Sequence, residues 1–270
     1  MKSRSSRSVL RAGAAVALAA AVTFASGGIA SAGTGSTGTG GTGPSLTPLT
    51  FDGWSSCPTA DPDVGTCATI VTRGGEMNIG SLSVPIPDGS LKIAGGVKYE
   101  LLPSGDFKDV FVPQAGTNYG VLSTPITIPG GVFGVDTPLG ATQVKAQVEA
   151  VGLPSVDVLD AKVSLPVRMK LSNSLLGDNC YIGSASKPIT FNLTTSGNPP
   201  SQPIGSVPGA VFPNVAHTDN SFSVPAASGC GFLGSLNWVV NLRADTPSAA
   251  GKNSLTTLSD IYTAAAWMVA

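Results

Sequence analysis

The 270-residue chain is poor in charge, in histidine and in aromatic side chains. Asp, Glu, Lys and Arg make up 11% of it, against roughly 25% in ordinary soluble domains. Long solvated helices laced with ion pairs therefore have little to be built from. One histidine, His217, is the only candidate base for a Ser-His-Asp arrangement, and a histidine-rich zinc site is excluded. There is no C-x-x-C pair and no G-x-S-x-G elbow. The Gly-rich tract over 33–43 carries no Lys, so it is not a phosphate-cradling loop.

What is present reads first as an export signal. Lys2, Arg4, Arg7 and Arg11 precede or enter an apolar run over 12–25, and Ala30-Ser31-Ala32 is a small-residue cleavage site. No Arg-Arg pair occurs, so the general secretory route is expected. The run is shorter than the about 20 residues a membrane-spanning helix needs, which argues against an integral helical membrane protein. Cleavage after residue 32 would remove four basic residues and no acidic one, taking the net charge from −1 to −5. That balance gives no reason to expect nucleic acid as a partner. Residues 33–47 then read as a Gly/Thr-rich flexible tether and 48–270 as a single domain.

Cys57, Cys67, Cys180 and Cys230 are an even number in a chain expected to be exported, and so read as disulfides. Proximity in sequence pairs Cys57 with Cys67 and Cys180 with Cys230. No metal and no cofactor is expected.

Val163, Leu165, Val167, Met169 and Leu171 alternate with polar residues over 162–171, the period of a strand with one buried face. Pro166 interrupts that strand and predicts a sheet edge or a bulge. Val144, Ala146, Val148 and Ala150 alternate in the same way. Further strands are expected at 68–72, 78–86, 91–93, 97–102, 109–112, 121–128, 156–159, 189–194 and 222–224. Gly74-Gly75, Gly95-Gly96 and several Pro-Gly clusters read as the turns between them. Residues 236–243 alternate too, with Leu236, Trp238, Val240 and Leu242 inward. Residues 196–208 read as a surface loop, and the stretch after 255 fits a helix or a strand. This spacing predicts an all-β fold, an antiparallel β-sandwich of Ig-like or jelly-roll-like type.

Sites are few. Trp54, beside the small disulfide loop, is a candidate exposed ring for a ligand. Asp61 and Asp63, two residues apart, are candidate oxygen ligands, although the full calcium-loop pattern is absent and a polar turn explains the same residues. His217 sits among polar residues and reads as an exposed loop histidine. Asp157 with Asp160 and Asp106 with Asp109 are available as carboxylate pairs, as some pair always is.

The block from Leu165 to Ser184, LPVRMKLSNSLLGDNCYIGS, together with the Ala-rich signal and the Gly/Thr tether, resembles a group of secreted β-rich proteins of high-GC Gram-positive bacteria, the actinobacterial exported proteins. The resemblance implies export and a β-fold and brings no catalytic residues with it. The expected function is that of a non-enzymatic protein, secreted or held at the cell envelope, with a structural or ligand-binding role. Its partner would be a cell-surface glycan, lipid or protein. A secreted hydrolase using a carboxylate pair and an envelope β-channel are the alternatives.

Overall fold

Alternation decides one of the longest elements. The computed structural model describes residues 50–135, 142–157, 160–195, 199–205 and 207–269. The expected signal peptide, the tether, the end of the 156–159 strand and part of the 196–208 loop lie outside them. Lys162–Ser172 is one strand in which Val163, Leu165, Val167, Met169 and Leu171 are all buried while the intervening side chains are half-buried.

In chain order the strands are β1 (Thr66–Ile79), β2 (Leu82–Ile86), β3 (Leu91–Leu101), β4 (Phe107–Pro113), β5 (Val121–Ser123), β6 (Ile126–Ile128), β7 (Val144–Ala150) and β8 (Ser155–Asp157). They continue with β9 (Lys162–Ser172), β10 (Tyr181–Ile182), β11 (Ile189–Thr195), β12 (Gln202–Pro203), β13 (Gly209–Asp219), β14 (Ala227–Ser228) and β15 (Asn253–Ala265). One helix, α1 (Asn237–Ala244), stands between β14 and β15.

All the strand pairs are antiparallel, and they form one hydrogen-bonded network ordered β14-β10-β9-β11-β13-β15-β1-β3-β4. Strand β11 joins its halves: Ile189 to Leu193 pair with β9, and Thr194 and Thr195 pair with β13. The sheet curls into a half-barrel that brings β5 towards β7. Side chains bridge this seam where no ladder does. Ser123 Oγ donates to the Val148 carbonyl, and Gln147 Nε2 donates to the Ser123 carbonyl at 2.9 Å. With its amide turned to suit, Asn118 donates to the Ala150 carbonyl (3.2 Å) and accepts from the Ala150 N–H (3.3 Å). The two halves face each other over one core that includes Ile93 and Val97 from β3 and Leu165 and Val167 from β9.

Both disulfides pair as expected, Cys57 with Cys67 and Cys180 with Cys230, and no cysteine is free among the described residues. The first ties a short 3-10 turn, Gly53–Ser56, to the start of β1. The second ties the entry to β10 to the chain leaving β14.

Several expectations are corrected. Gly74-Gly75 and Gly95-Gly96 are not turns, because β1 and β3 run straight through them. The first pair lies at a bulge, where the β1–β15 register shifts between Thr72 and Gly74. The second answers to packing: a Cβ on Gly95 would lie 2.6 Å from the Phe111 ring, and one on Gly96 2.5 Å from Val64. Pro166 is not at the sheet edge but on β9, which is paired on both sides. The Pro166 carbonyl accepts from Val151 N (3.0 Å) in the gap between β7 and β8, so the missing N–H faces the point where the neighbouring strand is interrupted. The stretch after 255 is strand β15, central in the sheet between β1 and β13.

The largest correction concerns 236–243. These residues form α1 instead of a strand, and Trp238 and Leu242, assigned inward by alternation, are 65% and 76% exposed. Val239, Val240 and Ala244 are buried in their place, because a turn of 100° per residue selects different neighbours from a pleat. Asn237 Oδ1 accepts from Cys230 N (2.8 Å), and Asn241 Oδ1 accepts from Ala227 N (2.7 Å) and Thr246 Oγ1 (2.9 Å). Two asparagines one helical turn apart thus fasten α1 to β14 and the loop after it.

Candidate functional site

The inward faces of the curled sheet enclose two small cavities. The first lies among Ile70 and Thr72 of β1, Ile93 of β3, Leu165 of β9, Phe191 of β11 and His217 of β13, and has a volume of about 50 Å³. Its walls are mostly aliphatic, yet Thr72, Ser90, His217, Thr257 and Ser259 also line it and are all buried. His217 is thus not in an exposed loop: it is an inward residue of β13 and 1% exposed. The polar residues around it alternate along the strand, with Ala216 and Thr218 taking the outer face.

His217 Nε2 lies 3.1 Å from the Ala161 carbonyl. A carbonyl can only accept, so Nε2 carries the proton and Nδ1 is bare. Nδ1 has no partner among protein groups, and neither has the buried Ser90 Oγ. Burial lowers the His217 pKa from its ordinary value, with partial opposition from the Ala161 and Val215 carbonyls. The ring is therefore neutral near pH 7, and the cavity is roomy enough for water to satisfy such atoms.

The second cavity, also about 50 Å³, lies at the α1 end. Ile79, Leu82, Val84, Val144, Met169, Leu171 and Leu176 form its walls and Val240 and Ala244 of α1 close it. Met77 borders both cavities. Among the described residues the single polar side chain in this lining is Arg243. Its Nη2 donates to the Pro129 carbonyl (2.9 Å), while its Nε is buried without a partner. A guanidinium with an unused N–H at the rim of an aliphatic cavity can receive a carboxylate or phosphate oxygen.

The residues singled out from the sequence fall elsewhere. Trp54 is 9% exposed, its ring meeting Phe51 edge-on at 4.7 Å while Phe51 stacks on Tyr262 at 3.9 Å. It is part of a small satellite core around the first disulfide and not a surface platform. Asp61 Oδ1 accepts from Asp63 N at 3.0 Å, the local bond of a polar turn. Among the described residues no group of three or more His, Cys, Asp or Glu side chains could hold a metal ion.

Of the two carboxylate pairs, Asp106 and Asp160 lie in turns, Asp157 ends β8 and Asp109 lies in β4. Asp157 Oδ1 accepts from Asp160 N (2.9 Å), Asp160 pairs with Lys162, and Asp106 accepts from Ser104 Oγ (2.9 Å). The buried carboxylate Asp219 is saturated by Asn192 N (2.6 Å), Ser221 N and Ser221 Oγ (both 2.7 Å).

Comparison with known proteins places no relative beside this geometry. No protein-family model, curated protein or solved structure matches the chain.

Sequence reasoning missed two features. Arg73 is a hub, binding Asp260 (2.7 Å), Tyr262 Oη (3.1 Å) and Asp88 (3.4 Å). Its hydrogen bond to Asp260 raises the guanidinium pKa further above an already high value. These partners lie up to 189 residues away in sequence, so no local signal exists. Arg243 was read as an outward strand residue. The absence of any carboxylate across 225–244 was the signal that could have marked its surroundings as apolar.

Proposed function

We propose that this protein binds a small apolar group, such as the end of an alkyl chain, and catalyses no reaction. The observation that carries this reading is the cavity under α1, walled by aliphatic side chains and rimmed by the unused Arg243 Nε–H. Its volume of about 50 Å³ compares with about 150 Å³ for a dry void that accepts benzene. It has room for the last carbons of a chain, and Met77 and Met169 are the unbranched walls best able to rearrange for more. Arg243 suits an acidic head group. In fold terms the reading is of a sandwich-like half-barrel whose facing layers hold the ligand.

Two oxidised cysteine pairs fit an oxidising compartment, and no helix of the described residues is long and apolar enough to cross a membrane. The expected signal peptide completes the reading of a secreted or envelope-associated protein. Packed aliphatic side chains fill the interior, and outward positions carry Lys145, Gln147, Arg168 and Lys170. Both features weigh against a channel, which needs an aqueous lumen and an apolar outer belt. The local partners of Asp106, Asp157 and Asp160 weigh against the hydrolase.

Titration of the purified protein with an environment-sensitive fluorescent fatty acid tests the proposal. Saturable binding, displaced by unlabelled decanoate and abolished when Val144→Trp fills the cavity, is expected. An absence of saturable binding, or binding that Val144→Trp leaves unchanged, overturns it.

A further inference from the structure

We propose that the α1 end of the half-barrel docks on a phospholipid bilayer. This goes beyond the binding of an alkyl group inside, because it concerns the outer surface and holds whether or not the cavity is occupied. Within eleven residues the chain presents Phe232, Leu233, Trp238 and Leu242, which are 83%, 91%, 65% and 76% exposed. Exposed apolar side chains are ordinary when scattered; four so close together mark an interaction surface.

The chain holds this surface firmly. Leu233 has a left-handed backbone (φ 53°) between Gly231 (φ 72°) and Gly234 (φ 81°), which turns Phe232 and Leu233 out at the apex. Cys230, next to the apex, is tied to Cys180, Gly231 N donates to the Leu176 carbonyl (2.7 Å), and Leu236 N donates to the Cys230 carbonyl (2.9 Å). Leu175, in the turn that supplies the Leu176 carbonyl, is itself 48% exposed. Trp238 and Leu242, one helical turn apart, share the outer face of α1.

Charge selects the partner. From Pro225 to Ala244 there is no carboxylate, and the only charge is Arg243. A protruding apex of Phe and Leu would need a matching pocket on a protein partner, whereas a bilayer yields to it. Tryptophan prefers the head-group level and exposed Phe and Leu the acyl region, which is the composition of a face lying at a lipid–water boundary, while Arg243 turns to the cavity side, where its Nη2 donates to the Pro129 carbonyl. The inner face of the same helix closes the aliphatic cavity, so the docked face and the cavity sit on opposite sides of α1.

The test is co-sedimentation of the purified protein with phosphatidylcholine–phosphatidylglycerol vesicles, read together with Trp238 emission, obtained in a Trp267→Phe background by subtracting the Trp54 signal that remains when Trp238→Phe is added. Expected are partition into the vesicle pellet, a blue shift, reduced acrylamide quenching and little change at high salt. Phe232→Ser with Leu233→Ser should lower partition on the order of a hundredfold, since two apolar side chains no longer leave water. Leu242→Ser should act in the same direction, and Leu101→Ser, 65% exposed on β3, should have no effect. Circular dichroism checks that each variant is folded.

An absence of vesicle binding overturns the proposal. So does binding indifferent to both the apex pair and Leu242. Self-association that these substitutions abolish, without vesicle binding, also overturns it and assigns the face to a second copy of the chain. Loss of fatty-acid binding with vesicle binding intact would overturn the cavity reading and leave this one standing.

Discussion

The two cavities of the half-barrel have the same volume and mostly aliphatic walls, and differ in the polar groups set among them. The one around His217 carries five buried polar side chains, two of them with an atom that finds no protein partner. The one under α1 is aliphatic apart from Arg243 at its rim. A void with polar atoms is a place for water and for a defined internal arrangement. A void without them gains only from an apolar occupant. Under the proposed function, this difference separates a structural end from a binding end, and the second end is also where apolar side chains break the surface.

The comparison can be broken at its covalent support first. Removing the Cys180–Cys230 disulfide as a double alanine variant should lower stability by about 4 kcal/mol, against about 3 kcal/mol for Cys57–Cys67, whose loop is shorter. Denaturant unfolding of the two variants measures this. The Cys180–Cys230 variant alone should also loosen the apex at Phe232. Equal losses with no effect on the α1 end would erase the distinction drawn between the ends.

Leu176→Ala sharpens the contrast next. Leu176 is 1% exposed and walls only the aliphatic cavity, so truncation should destabilise by about 3 kcal/mol. It should also tighten binding of the fatty-acid probe by enlarging the space. Urea melts and probe titrations report the two effects separately, and weaker probe binding in a folded variant would contradict the assignment.

A third experiment uses pH. The folded-state pKa of His217 is lowered, so below the ordinary value of 6.5 the unfolded chain binds the proton that the folded chain resists. Stability should be complete above about pH 6.5 and fall as pH drops through the window between that value and the lowered one. With a single histidine in the chain, His217→Phe should flatten this part of the profile. A profile unchanged by the substitution would mean that the ring is not held neutral by burial. Smallest of all, Trp238→Ala should change stability by no more than about 0.5 kcal/mol, because the side chain is 65% exposed. A larger loss would place Trp238 in the fold after all.

Two strands with one wet and one dry face, β7 and β9, were readable from the sequence. Val163 to Leu171 alternate in the chain and are alternately buried in β9, and the same holds at the ends of β7, Val144 and Ala150. The site was much less legible. Trp54, Asp61 and Asp63 drew attention as a ring and two carboxylates beside a disulfide, but the ring stacks inward and the carboxylates close a turn. Residues 236–243 misled because Leu236, Trp238, Val239, Val240, Leu242 and Ala244 satisfy a period of two and a helical period equally well. His217 misled because Asn214 and Thr218 beside it are exposed, and burial is a property of the face and not of the stretch.

By itself the sequence determined the β class, strands such as β7 and β9, and the pairing of the four cysteines. Alternation and chain proximity are local quantities, and these features depend on nothing else. Tertiary structure decided that β11 passes from one half to the other, that the seam between β5 and β7 closes through side chains, and that Arg243 meets an aliphatic cavity while Trp238 faces outward. Each of these depends on groups brought together across the chain by the curl of the sheet, and no window of neighbouring residues contains that information.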